Sequence, residues 1–142
     1  MLTRERGAHQ MTDTLAITLS LPGGALSPNA RAHWRKVSKE KKLYGGMAYI
    51  AWREAAMRHS PGTTLRWQRA AAQATFFWPV HRRRDYDNAS ASLKCVWDQL
   101  KQLKILPDDD SDHLTHLPTV FRLDRNNPRV EITLTMEPPH AS

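Results

Sequence analysis

Two alternating stretches near the ends of the chain restrict its fold most. Leu15, Ile17, Leu19 and Leu21 alternate with Ala16, Thr18 and Ser20, and Val130, Ile132, Leu134 and Met136 alternate in the same way. Period-two alternation is the pattern of a β-strand. Leu65 to Trp78 reads mostly as a further strand and Val120 to Leu123 as a short one. Between them lie two helical segments. Arg31 to His59 is one, with a break or kink expected at Gly45-Gly46, where each glycine costs about 1 kcal/mol relative to alanine. The other covers most of Ala89 to Lys104, with Leu93, Val96, Trp97, Leu100 and Leu103 on one stripe, Ser90 or Ser92 as N-cap and Pro107 as its end. Turns are expected at Pro22-Gly23-Gly24, Ser60-Pro61-Gly62 and Asp124 to Pro128. The order β-α-β-α-β-β predicts one α+β domain, a mixed sheet covered by helices, over residues 15–137. Residues 1–14 read as a flexible extension, with Met11 an alternative start, and 138–142 as a loose tail.

Composition narrows the class. With 142 residues the chain is long enough for its own core, and no run approaches 18 apolar residues, which argues against a membrane-spanning helix. Residues 1–10 lack the apolar centre of a signal peptide. The single cysteine, Cys95, precludes an intrachain disulfide or a cysteine-based zinc site, and the cytoplasm is the expected compartment. Lysine and arginine total 21 against 14 acids, a formal charge of +7. That balance favours nucleic acid as partner.

Charge of both signs is concentrated between His81 and His113. On an extended chain, Asp85 and Asp87 would leave on the same face. Converging carboxylates repel unless a cation or proton lies between them, and oxygen-only ligation suits Mg²⁺ or Mn²⁺. Arg82, Arg83 and Arg84 precede the pair, and guanidinium forks match phosphate oxygens. The same string also fits ordinary turn chemistry, with the arginines neutralising the acids on a solvated surface. Lys94, in the first turns of the second helix, is placed to contact a scissile phosphate or help polarise water. Asp108, Asp109, Asp110 and Asp112 follow Pro107. They do not form an EF-hand, because His113 stands where the turn needs glycine and Thr119 where the closing glutamate belongs. A third carboxylate from this cluster would complete a metal site of nuclease type. In the first helix, Arg31, Arg35, Lys36 and Lys39 lie beside Trp34, a combination suited to tracking a DNA backbone and stacking on unpaired bases.

Arg82-Arg83-Arg84-Asp85-x-Asp87-Asn88, then Leu93-Lys94, Trp97-Asp98-x-Leu100 and Leu106-Pro107-Asp108-Asp109, resembles the RusA family of Holliday-junction resolvases, common in phages and prophages. The Ser27 to Trp34 loop after the first strand strengthens the likeness, which extends over about residues 15–136. The resemblance implies three essential aspartates and a lysine, which fall on Asp85, Asp87, Asp109 and Lys94, with Asp108 or Asp110 the alternative third ligand. Asn88 and Lys94 stand further apart here than in the best-known member. The implied activity is Mg²⁺-dependent (or Mn²⁺-dependent) cleavage of branched DNA in recombination and repair by a homodimer, with no small-molecule cofactor. An unbroken helix over 89–104 would span roughly 24 Å at ~1.5 Å per residue. Asp109 would then meet the Asp pair of a second subunit unless its own chain doubles back. Two other readings use the same residues: a non-catalytic basic DNA-binding protein, and a nuclease for flaps or forks.

Overall fold

The computed structural model describes residues 13–28 and 31–138, so most of the expected extension, Asn29 and the tail beyond Pro138 lie outside the described residues. Five strands form one mixed sheet: β1 (Thr14–Leu19), β2 (Ala70–Trp78), β3 (Leu114–His116), β4 (Val120–Leu123) and β5 (Arg129–Met136). β5 lies between β1 and β2 and is antiparallel to both. β3 and β4 share the far side of β2, each parallel to it, with Ala70 opposite Leu114 and Thr75 opposite Val120. The α+β class and mixed sheet are those read from the alternation. β3 is an addition, three residues that carry no pattern long enough to see.

Along β1 and β5 the buried residues are every second one, Leu15, Ile17, Leu19 and Val130, Ile132, Leu134. Their neighbours Ala16, Thr18, Thr133 and Thr135 are exposed. An antiparallel region with one dry and one wet face produces that alternation. The helix α1 (Trp34–His59) packs with the dry face, and α3 (Lys94–Gln102) packs against α1. Trp52, fully buried, donates from Nε1 to the Val96 carbonyl at 3.1 Å and joins the two helices.

α1 runs as one helix through Gly45-Gly46, without the expected interruption. Gly45 is there for close approach: a Cβ at that point would lie 3.1 Å from Gln99 Nε2 and 3.7 Å from Cys95 Cβ. The helix also begins at Trp34 instead of Arg31, because His33 Nδ1 accepts the Arg35 N–H and caps it.

The second helical segment is two helices, α2 (Tyr86–Ala91) and α3, where the sequence predicts one. Ser90 and Ser92 do not serve as N-caps. Asp85 caps α2, and Ser92 closes it by donating to the Ala89 carbonyl. α3 ends at Gln102, before Pro107, and just beyond it Lys104 has a left-handed φ of 61°. There the amides of Ile105 and Leu106 return to the Leu100 carbonyl, a C-terminal cap that reverses the chain. Ile105 and Leu106 are then buried, and Trp67 N–H donates to the Ile105 carbonyl. No helix among the described residues is long and apolar enough to cross a membrane.

A candidate phosphodiester-cleaving site at the interrupted sheet edge

The edge beside β2 is not continuous. After β3, Pro118 has no N–H to give to a ladder. The chain leaves the sheet over Leu117–Thr119, held by the Leu117 amide on the Ala72 carbonyl and by the Gln73 side-chain amide on the Pro118 carbonyl. β2 offers only Ala72 and Ala74 beneath this gap. The result is a cavity of about 720 Å³ whose lining includes Asp87, Lys94, Trp97, Asp109, His116 and Thr119.

Three successive segments thereby place an acid, a cation and a second acid around one space. Asp87 comes from the first turn of α2, which is tied to the far wall by a hydroxyl–hydroxyl bond between Ser90 and Thr119. Lys94 begins α3, and its Nζ lies 3.7 Å from Asp98 Oδ1 one turn on. Asp109 arrives on the reversed chain after Lys104. α3 spans only ~13 Å at ~1.5 Å per residue, so the chain doubles back and Asp109 shares a cavity with Asp87 of its own chain. The unbroken helix from which subunit sharing was inferred does not form.

Asp85 behaves differently from expectation. It and Asp87 do not lie on an extended strand, so the alternation argument for a shared face fails. Asp85 Oδ1 accepts the amides of Asp87 at 2.8 Å and Asn88 at 3.3 Å, the N-cap bonding that aspartate favours. Both bonds fall on Oδ1, which leaves Oδ2 for another ligand. Asp85 lines an adjoining cavity of about 670 Å³ with Arg83, Arg84, Tyr86 and Asp87. Tyr86 and Asp87 border both spaces.

Aromatic packing holds this corner in place. The Arg84 guanidinium lies 3.9 Å above the Trp78 ring, and its Nε, shielded from water, meets no partner among the described residues. On the other side of Asp85, Tyr86 stacks on Phe121 at 4.1 Å between centroids, and Phe121 meets Trp78 edge-on at 5.5 Å. Arg82 and Arg83 are exposed.

Within the aspartate cluster the roles separate. Asp110 Oδ1 accepts the Asp112 amide and lies 2.7 Å from His113 Nδ1, so these residues close a turn. Asp108 Oδ1 accepts the Asp109 amide at 2.7 Å and lies 3.8 Å from Lys101 Nζ. These bonds, that amide's foremost, hold the Asp108 carboxyl below its ordinary range. Asp109 is pushed the other way, by burial first and then by the Asp108 and Asp98 carboxyls beside it. An ionised Asp109 is therefore in a crowded, acidic place that a cation would relieve.

Sequence reasoning missed Tyr86, Trp97, His116 and Thr119. His116 packs 5.1 Å from Trp97 and is desolvated enough to lower its pKa, with the Asp109 charge opposing. Only Trp97 carried a signal, on the apolar stripe and in the family-like motif, and neither assigned it to the site.

Among the described residues no three histidine, cysteine or acidic side chains gather as a ready-made metal cluster. Mg²⁺ is usually held by one or two carboxylates, with water and substrate phosphate completing its shell. The all-oxygen set of Asp87 and Asp109, with Asp109 crowded by like charge, fits that requirement.

Arg31, Arg35, Lys36 and Lys39 are exposed around the start of α1. Arg31 and Lys36 line a separate cavity of about 450 Å³ with Gly23, Gly24 and Glu40. The chain matches no family model and no curated protein.

Proposed function

We propose that this chain is a metal-dependent DNA endonuclease of RusA type that hydrolyses phosphodiester bonds in four-way junctions during recombination and repair. The observation that carries this reading is the convergence of Asp87, Lys94 and Asp109, from separate segments, on one cavity at the sheet edge. Asp87 and Asp109 would hold Mg²⁺ or Mn²⁺, with Asp85 Oδ2 and Asp108 next to them. When bound, such an ion activates a water and neutralises charge developing on the phosphate. The protein's own part is positional. Lys94 supplies a mobile cation at the mouth of the cavity, where it can pass from Asp98 to a phosphate oxygen. Arg84, its guanidinium held 3.9 Å from the Trp78 ring, offers its terminal N–H groups to the neighbouring phosphate. Arg82, Arg83 and the basic start of α1 extend the cationic surface for the backbone.

Branched DNA is the partner and the cytoplasm the compartment on this reading. A two-fold dimer would set one cavity on each of two opposed strands. In the non-catalytic alternative the acids serve the fold alone, and the capping by Asp85 favours it. Incubating the protein with a labelled four-way junction, a flap and a linear duplex, with Mg²⁺ or EDTA, separates the readings. Paired nicks confined to the junction and lost in EDTA are expected. Binding without cutting in Mg²⁺ or Mn²⁺ would refute catalysis, and cutting confined to the flap would refute the junction as substrate.

A further inference from the structure

Among the described residues Trp34 is the most exposed large apolar side chain, at 67% of its surface, although it opens the long helix α1. The other tryptophans are occupied. Trp52, Trp67 and Trp97 are in the core, and Trp78 carries Arg84. Trp34 is also prepared on its flanks: the His33 ring stacks against it at 5.6 Å and 29°, and the Arg35 guanidinium lies 5.3 Å from its centroid. His33 is fixed in turn by its bond to the Arg35 amide. Arg31, Arg35, Lys36 and Lys39 are exposed around the start of the helix, Arg35 against the ring itself, and the first turn of α1 holds no acid. A flat apolar surface within a cationic field is poorly matched to a protein core or a lipid tail. It is well matched to a nucleobase whose phosphates lie on either side.

We propose that Trp34 is a stacking platform for an unpaired nucleobase, set apart from the cavity by a span of a few nucleotides. The placement follows from α1. Gly45 packs against Cys95, the neighbour of Lys94. The helix rises ~16 Å from there to Trp34 at ~1.5 Å per residue. The inference rests on the DNA reading of the cavity and deepens it. A strand with its phosphate at Asp87 and Asp109 would have to cover a span of at least this order to lay a splayed base on Trp34. Such bases occur at the crossing point of a junction and in single strands, and intact duplex does not present them.

The test is binding of oligo-dT and of a duplex of equal length, in EDTA so that nothing is cut. Wild type, Trp34→Phe, Trp34→Ala and Arg35→Ala are compared. Trp34→Ala should weaken oligo-dT binding by roughly 5- to 150-fold, the worth of one stacked base, and duplex binding by less than about 2-fold. Trp34→Phe should keep most of the affinity, and Arg35→Ala should weaken both DNAs. Oligo-dT should also quench the intrinsic fluorescence of the wild type, a signal lost in Trp34→Phe. If the wild type binds DNA and Trp34→Ala binds oligo-dT equally well, the platform is refuted while the cavity reading stands. Failure of the wild type to bind either DNA would refute both. Sedimentation showing that Trp34→Ala breaks a dimer without altering DNA affinity would reassign the ring to a protein contact.

Discussion

Phe121 is the residue on which the order of the acidic corner most depends. It meets Tyr86 at 4.1 Å, Trp78 at 5.5 Å and Phe76 at 5.8 Å, and it is itself half-buried on β4. Truncating a fully buried phenylalanine costs ~3–5 kcal/mol. Half-burial lowers that to about 2–3 kcal/mol for Phe121→Ala. At ~3–4 °C per kcal/mol for a chain of this size, Tm should fall by roughly 6–12 °C. Tyr86→Ala removes an exposed ring with one such partner and should cost about 1 kcal/mol. The informative quantity is the coupling between them. An aromatic pair is worth ~0.5–1.5 kcal/mol beyond burial, so the double variant should be less destabilised than the sum by that amount. Urea unfolding followed by circular dichroism measures all four proteins, with the m-value checked for constancy. Coupling within error of zero would mean that the stack is not made in solution. Asp85 and Asp87 would then be held at the corner without the stack, by the Ser90–Thr119 bond and the Arg84–Trp78 contact.

Three further outcomes follow from the same geometry. Gly46 faces open space in mid-helix, so Gly46→Ala should raise stability by ~0.5–1 kcal/mol; a fall in Tm would mean that α1 is interrupted there after all. Burial and the nearby Asp108 and Asp98 carboxyls raise the Asp109 pKa, so its ionisation opposes folding in the absence of metal. Asp109→Asn in EDTA should therefore show no gain in Tm over wild type below pH ~4, where the unfolded chain is also protonated, a growing gain from there up to the raised pKa, and a constant one above it. Mg²⁺ should raise the Tm of the wild type more than that of the variant. Finally, mixing Asp87→Asn with Asp109→Asn should restore no cleavage, because one chain supplies both acids to its cavity. Recovery of single-strand nicking would show a site shared between subunits.

The sheet was legible because alternation survives any loop between the strands: Leu15 to Leu19 and Val130 to Leu134 each mark a face without reference to their partner. The convergence of Asp87 with Asp109 was hidden for a local reason. Lys104 takes a left-handed conformation that glycine would have signalled and lysine does not, so the reversal before Pro107 left no trace in the residue pattern. Asp85 failed in another way. An aspartate two and three residues ahead of free amides can cap a helix or hold a metal, and spacing does not distinguish these. Gly45 read as a break because propensity registers the missing side chain and not the α3 surface that takes its place. Trp34 and Trp97 have the same composition signal, yet one is a surface ring and the other lines a cavity.

The central claim is that particular acids converge and their neighbours in the same cluster do not. Junction cleavage rates in Mg²⁺ should be measured for Asp87→Asn, Asp109→Asn, Asp110→Asn and Asp112→Asn, with junction affinity measured alongside. The first two should lose ~100-fold or more in rate while still binding. The last two, joined in the turn by the Asp112 amide on the Asp110 carboxylate, should stay within about 2-fold. Equal loss in Asp110→Asn or Asp112→Asn, or full activity in Asp87→Asn, would contradict the site described here.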